Sequence, residues 1–307
     1  MSAFHGGSIR LMTVARPRIL ITGQNGQLGW QLHHSFADLG EVTAVDRGAL
    51  NLADADAIRR CCQTVKPDLI INAGAYTAVD RAEQEPELAM QINGVAPGVL
   101  AEEANRLGAG LIHYSTDYVF SGSGSVPYLE DDEPAPQSAY GRTKLAGEQA
   151  VQNVAERYLV FRTSWVYAER RQNFLLTMLR LAREREELRI VADQIGSPTW
   201  VKTLADFTLA AVDNDGQLSI DNGIFHVSGN GSTSWHGFAE AIFKAIPDPR
   251  RLVKRVTPIS TDDFPTPARR PAFSVLSNRK IELATGKRVP DWQDQLAAFA
   301  AGYRLNQ

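Results

Sequence analysis

The chain of 307 residues has little cysteine: Cys61 and Cys62 stand side by side and there is no third. Adjacent cysteines rarely bridge each other, so an intrachain disulfide framework is excluded, as fits a reducing compartment such as the cytoplasm. No histidine or second cysteine pair lies beside them, so no zinc site is expected there. No run of eighteen apolar residues occurs, and neither a transmembrane helix nor a membrane partner is expected. An excess of one charge is also lacking. Thirty-two Lys and Arg against 35 Asp and Glu leave a formal net charge of -3, which provides no global basic field for nucleic acid. There is no internal repeat on the scale of a solenoid unit. The stretch 1–17 has no continuous apolar segment of signal-peptide length. It reads as a disordered extension, with the core expected to begin at Arg18.

What is present is an ordinary globular balance, 44% hydrophobic and 22% charged, in a chain long enough for one large core or two lobes that share one. A short apolar run over 18–22 reads as a strand leading into glycine-rich sequence. Leu28, Leu32, Phe36 and Leu39 then recur at helical spacing before Gly40. Strands follow over 42–45, 69–71 and 111–114, with helices over 53–65 and 87–107 between them. After a Ser-, Gly- and Pro-rich loop over 121–138, a helix is expected over 140–154 and a strand over 158–166. This alternation predicts an α/β fold: a Rossmann-type, doubly wound parallel sheet covered on both faces. Beyond 166 the pattern is less regular, with helices over 173–183, 201–212 and 235–246 and strands over 188–192 and 224–227. The expected division is a dinucleotide-binding domain over 18–166, joined by segments near 200–230, and a smaller C-terminal substrate-binding lobe over 167–199 and 231–307.

Gly23-Gln24-Asn25-Gly26-Gln27-Leu28-Gly29 places three glycines between a predicted strand and a predicted helix, the context in which a glycine triplet binds a dinucleotide. Gly23 would permit the tight turn, Gly26 the approach of backbone to a pyrophosphate, and Gly29 the close seating of helix on sheet. Helix N-terminal amides would then hold the phosphate charge. Asp46 ends the second strand twenty residues after Gly26. A carboxylate there accepts from ribose hydroxyls and favours NAD, whereas the adjacent Arg47 can pair with a 2′-phosphate and favours NADP. Both NADH and NADPH therefore stay open. The small residues Ala73, Gly74 and Ala75 after the third strand would let backbone pass close to the cofactor.

Tyr140 and Lys144 form a Tyr-x-x-x-Lys pair at a helix start, and i, i+4 spacing puts both on one face. A nearby ammonium stabilises phenolate, so Lys144 is expected to lower the Tyr140 pKa, and it can also reach a nicotinamide ribose. Thr116, at the C-terminal end of a predicted parallel strand, lies where open α/β sheets place their ligands, and its hydroxyl can bond a substrate carbonyl. Arg269 and Arg270 occupy a stretch bounded by Pro265 and Pro271. Guanidinium groups in a stiff loop suit a diphosphate, and in an extended segment one of the two would face it.

With these residues in place, the chain resembles the extended short-chain dehydrogenase/reductase superfamily and, within it, the dTDP-4-dehydrorhamnose reductase family. The resemblance runs nearly the whole length from Arg18. It is carried by GQNGQLG (23–29), NAGAYTAVDRAE (72–83), STDYVFSG (115–122), YGRTKLAGE (140–148), RTSWVYA (162–168), DQIGSPT (193–199) and ARRPAFSVLSN (268–278). It implies NAD(P)H as cofactor and a dTDP-sugar as small-molecule substrate, in a monomer or homodimer. It further implies that residues 23–29 hold the pyrophosphate and that Ala73, Gly74, Ala75 and Tyr76 line the cofactor. Thr116 and Asp117 would hold the reacting end of the sugar, Tyr140 would give the proton and Lys144 would tune it, and Trp165 would contact substrate. The family's usual Leu-Asp after the second strand is Leu50-Asn51 here; Asn51, with its neighbour Leu52, can still meet an adenine. Some members are dimers bridged by magnesium through glutamates, but Gln31 stands at one such position, and a neutral amide is a poor magnesium ligand. No metal is therefore expected. Glu169-Arg170-Arg171-Gln172 replaces the family's small, Gly-rich link.

Two other functions fit parts of the pattern. A sugar-nucleotide dehydratase or epimerase shares the glycine and Tyr/Lys marks, but a dehydratase uses an Asp-Glu pair after the Thr, and here Asp117 is followed by Tyr118. The regulatory subunit of methionine adenosyltransferase, a non-catalytic partner-binding module, also resembles the family. Intact Thr116, Tyr140 and Lys144 argue for an enzyme.

Overall fold

The computed structural model describes residues 16–303. In chain order, β1 (Arg18–Thr22), α1 (Gln27–Phe36), β2 (Glu41–Val45), α2 (Ala55–Val65) and β3 (Leu69–Asn72) lead to α3 (Val79–Ala82), α4 (Pro86–Met90), a π-helical turn Gln91–Val95 and α5 (Ala96–Leu107). Next come β4 (Gly110–Thr116), α6 (Ala139–Val154), β5 (Tyr158–Thr163), β6 (Val166–Tyr167), α7 (Phe174–Ala182), β7 (Glu187–Val191), β8 (Ile195–Gly196) and β9 (Thr199–Trp200). The chain closes with α8 (Val201–Ala210), β10 (Gly223–His226), β11 (Thr233–Ser234), α9 (Trp235–Ala245), β12 (Arg255–Ile259), α10 (Arg279–Thr285) and α11 (Trp292–Gly302).

The main sheet has six strands in the order β10-β5-β4-β3-β1-β2, and every pairing in it is parallel. Successive residues of a strand face opposite sides, so each face of a doubly covered sheet needs its own apolar row. Ile19, Ile21, Ile71 and Phe161 pack on one side with Leu32, Phe36, Leu204 and Phe207. Leu20, Ile70, Leu111 and Val160 pack on the other with Ile58, Cys62, Leu100 and Val151. Cys62 is thus a core residue, and burial pushes its thiol up to about 12. A third cluster, with Tyr167, Leu175, Phe238, Ile242, Trp292 and Phe299, forms the heart of the second lobe.

From β1 the chain moves outward to β2, then returns across β1 to β3 on its other side. That reversal opens a crevice at the C-terminal ends of β1 and β3, where such sheets bind their ligands.

Several expectations need correction. The proposed extension falls outside the described residues except for Arg16 and Pro17, and these belong to the fold. Pro17 is buried, its carbonyl accepts from Glu41 N at 2.8 Å, and Arg16 Nη2 donates to Ala37 O at 2.7 Å. The helix expected over 87–107 is interrupted by the π-helical turn at Asn93-Gly94, two weak helix formers. The strand expected over 158–166 stops at Thr163, because Trp165 adopts a left-handed φ of 46°. No strand is expected over 255–259, yet β12 forms there and pairs β7 in parallel. Two helices, α10 and α11, form where no helix is expected. From the expected second lobe, Ile281 and Val289 pack into the first core.

Candidate active site

The crevice is lined first by glycine. Gly23 turns the chain with φ of 73°, and a Cβ there would lie 2.7 Å from both Cα and N of Gly74. A Cβ on Gly29 would lie 2.2 Å from the Gly23 carbonyl oxygen, so α1 can seat this closely only with glycine at that position. Gly26 is the N-cap of α1 and no side chain caps it. The first-turn amides, Gln27 and Leu28 among them, are left for an anion. Gln24 N donates to Val45 O at 3.0 Å. The exposed Asn25 bonds Asp46 through its side-chain amide. Asp46 Oδ1 also accepts from Gly48 N at 2.9 Å and Ala49 N at 3.1 Å, while Arg47 is exposed. Asn51 closes a local turn by accepting from Ala53 N at 3.1 Å. Leu52 reaches across, its Cδ1 2.6 Å from where a Gly74 Cβ would be.

On the other wall, Gly74 N donates to Thr22 Oγ1 at 3.0 Å, which fixes the segment running through Ala73 and Ala75 to Tyr76. Tyr76 is held by Asn93, whose Oδ1 accepts from Tyr76 N at 2.8 Å. Asn93 Nδ2 donates to Tyr76 O at 3.0 Å and to Thr143 Oγ1 at 3.2 Å. Buried Asn93, on the π-helical turn, thereby ties the cofactor wall to α6. Reading the sequence missed it, although an Asn-Gly pair inside a helix was a usable signal.

Helix α6 starts beside the end of β4. Ser138 caps it through Gly141 N at 3.1 Å, and Glu83, also missed, accepts from Ala139 N at 2.7 Å. Tyr140 and Lys144 lie one turn apart, with the Tyr140 ring edge-on to Tyr118 at 5.6 Å. Burial pushes the Tyr140 phenol up to about 12, against the downward pull of its hydrogen bond with Thr116. The expectation that Lys144 lowers this pKa therefore does not hold, because burial dominates. Lys144 is only 2% exposed; burial lowers it to about 8, while Glu148 raises it. Its ammonium donates to the Tyr114 carbonyl and lies 3.4 Å from His113 Nε2.

Thr116 Oγ1 donates to Asp117 Oδ1 at 2.9 Å and accepts from Tyr118 N at 3.2 Å. Asp117 Oδ2 is buried without a hydrogen-bond partner, and burial raises the carboxyl to about 6. Trp165 stacks on Trp235 with centroids 3.4 Å apart and planes 5° from parallel. The two arginines of the 268–278 segment separate, as alternation requires. Arg270 Nη2 pairs with Asp80 Oδ2 at 2.8 Å. Arg269 is exposed and makes no hydrogen bond or ion pair among the described residues. Gln31 spends its amide on Ser35 Oγ at 3.3 Å, and among the described residues no group of three or more His, Cys, Asp or Glu is placed to hold a metal. Gln31, a neutral amide bonded to Ser35, offers a bridging magnesium no carboxylate at this position. A cleft bordered by Arg16, Arg18, Glu41, Asp68 and Gln217 lies at the opposite, N-terminal edge of the sheet and contains none of these groups.

The model of the RmlD substrate binding domain matches residues 17–305. The dTDP-4-dehydrorhamnose reductase of Burkholderia thailandensis is 48% identical over 284 residues, covering 90% of this chain and 95% of that protein. The chain belongs to the dTDP-4-dehydrorhamnose reductase family. Among solved members of the family, the Clostridium acetobutylicum dTDP-4-dehydrorhamnose reductase has a TM-score of 0.86 at 39% identity, covering 92% of this chain and 98% of that one. The Bacillus anthracis dTDP-4-dehydrorhamnose reductase, solved in complex with NADP, has a TM-score of 0.87 at 37% identity, covering 94% and 100%. A dinucleotide fits the cradle of this family member: glycine at 23 and 29 lets the loop and α1 fold this tightly, where a Cβ would strike backbone, and the α1 N-terminus has no side-chain cap.

Proposed function

We propose that this chain catalyses NAD(P)H-dependent reduction of the C4 keto group of dTDP-4-dehydro-L-rhamnose to dTDP-L-rhamnose. The observation that carries the reading is the Thr116-Tyr140 cluster at the end of β4, with Thr116 buried and Tyr140 half-buried, beside the glycine cradle at the switch point. When bound, the reduced nicotinamide supplies the hydride. Residues 23–29 hold its pyrophosphate, Asp46, Arg47, Asn51 and Leu52 border the adenosine, and Ala73, Gly74, Ala75 and Tyr76 form the other wall. Tyr140, kept protonated by burial, gives its phenolic proton to the alkoxide forming at C4. Lys144 holds the far side of the proton path. Thr116 and Asp117 orient the sugar, Asp117 through its unpartnered Oδ2. Trp165 offers a flat apolar face, and Arg269 meets the diphosphate. The substrate lobe comprises 167–199 and 231–307, apart from Ile281 and Val289, which pack into the first core; the protein works in the cytoplasm as a monomer or homodimer, and neither nucleic acid nor metal is involved.

The decisive assay follows reduced-nicotinamide absorbance with dTDP-4-dehydro-L-rhamnose and each cofactor in turn. No oxidation above the substrate-free rate would refute the reading. Both cofactors are expected to work, with kcat/KM within about a hundredfold, or roughly 2.7 kcal/mol. Asp46→Ala should shift the ratio towards NADPH, because a carboxylate at the end of β2 disfavours a 2′-phosphate. An unchanged ratio would mean that the carboxylate, engaged by Asn25, Gly48 and Ala49, serves the turn alone.

Arg269 and Arg270 should differ. Removing one charge-assisted contact typically costs about 1.5–3 kcal/mol, roughly tenfold or more in binding. Arg269→Ala is expected to raise KM for the nucleotide sugar by that factor and leave the cofactor KM alone. Arg270→Ala, which frees Asp80, should instead lower the thermal midpoint. If Arg269→Ala leaves substrate KM unchanged, the diphosphate is held elsewhere.

A further inference from the structure

The glycine cradle has a charge deficit. Between Arg18 and Arg47 the chain carries no lysine or arginine, so β1, the phosphate loop, α1 and β2 provide only backbone dipoles and two histidines against a doubly charged pyrophosphate. Basic groups arrive instead from the segment that follows β6. Arg171 Nε donates to the carbonyl of Asn25, at the tip of the phosphate loop, at 2.5 Å. Arg170 lies over the Trp30 ring of α1 at 4.8 Å, and its Nε is buried without a hydrogen-bond partner. Asn173 knots the segment in place. Its Nδ2 donates to Gln27 Oε1 at 3.0 Å and to Ala168 O at 2.9 Å, while its Oδ1 caps α7 through Leu176 N at 3.0 Å. Arg171 holds a left-handed φ of 61°, a conformation that costs a non-glycine residue energy and needs a compensating contact. The only acid in the strap, Glu169, is exposed.

We propose that Arg171, supported by Arg170, is a cofactor-binding residue that supplies the countercharge for the pyrophosphate, so that a strap from the second lobe completes the phosphate site. This rests on the nicotinamide cofactor reading given above. Arg171 uses Nε on the loop carbonyl and keeps both terminal nitrogens for phosphate oxygens, the fork geometry that suits guanidinium. The strap leaves β6 just after Trp165, so the same few residues join the cofactor's phosphates to the substrate face.

The test is equilibrium titration of the full chain with NADPH and with NADH, read by nicotinamide fluorescence, with dTDP titrated separately by calorimetry. Arg171→Gly removes the guanidinium and at the same time relieves the left-handed backbone, so it should fold at least as well as the parent. It is expected to raise Kd for both dinucleotides by about tenfold, the usual worth of a charged contact, and to leave dTDP affinity alone. Arg171→Lys should stay within about threefold of the parent, since the charge remains. Arg170→Met, which keeps an apolar stem over Trp30, should weaken both dinucleotides by a smaller factor. Three results overturn the proposal: unchanged affinity for both dinucleotides in Arg171→Gly, loss confined to NADPH, which would place the arginine at the adenosine 2′-phosphate, or equal loss of dTDP, which would make the strap structural. A parent protein that binds neither dinucleotide would instead defeat the cofactor reading itself.

Discussion

Tyr140→Phe is expected to lower kcat by about 10²–10⁴, the usual worth of a positioned general acid, while Kd for NADPH and the thermal midpoint stay near those of the parent. The ring edge-on to Tyr118 is retained in phenylalanine, so packing is preserved. What disappears is one O–H, whose neighbour is the Thr116 hydroxyl. Retention of more than about a tenth of parental kcat would fall below the range for a general acid and exclude Tyr140 as the donor. The pH profile carries a second check. With its pKa raised to about 12, the Tyr140 phenol stays protonated across the working range and cannot produce a limb near neutrality. Lys144, lowered to about 8, can. Its ammonium is present below that value and lost above it, so kcat should decline as pH rises through about 8. An alkaline limb that appears only near 12 would detach Lys144 from the proton path.

The parallel sheet and the ends of its strands were legible because buried strands read as short apolar runs, and glycines mark where backbone meets backbone. Gly23 and Gly29 could be assigned from spacing, and their Cβ clearances of 2.7 and 2.2 Å give the steric reason. The contacts that orient the site were not legible. Asn93 reaches Tyr76 and Thr143 across seventeen and fifty residues, and only a π-helical turn aims it there. The Tyr140 phenol is raised by its burial, which i, i+4 spacing does not report, while the Lys144 nitrogen on the same face is taken by the Tyr114 carbonyl. The Arg269-Arg270 pair shows the same boundary. Alternation predicts that the two diverge, but no local pattern could say that Asp80, 190 residues earlier in the chain, takes Arg270.

The largest loss of stability is expected from Arg162→Met. Arg162 on β5 and Glu148 on α6 are 2% and 0% exposed, joined through Nε to Oε1 at 3.0 Å and Nη2 to Oε2 at 2.7 Å. Arg162 Nη1 adds a bond to Glu130 O at 3.2 Å, and the guanidinium lies over Phe120 at 5.0 Å. Breaking such a pair from one side strands a buried charge and typically costs about 3–5 kcal/mol, a large share of the roughly 5–15 kcal/mol that holds a domain together. Denaturant unfolding should therefore show the single variant much less stable than the parent. Arg162→Met combined with Glu148→Leu should recover most of the loss, since replacing both charges by apolar groups is often neutral. A single-variant loss below about 1 kcal/mol, the range of an exposed pair, would show that water reaches Glu148. The double variant also bears on chemistry. Glu148 follows Lys144 by one helical turn and raises its pKa. Without that carboxylate the Lys144 ammonium is harder to keep, so the alkaline limb of kcat should move to lower pH than in the parent. A refolded double variant with an unmoved limb would confine the ion pair to holding α6 against β5.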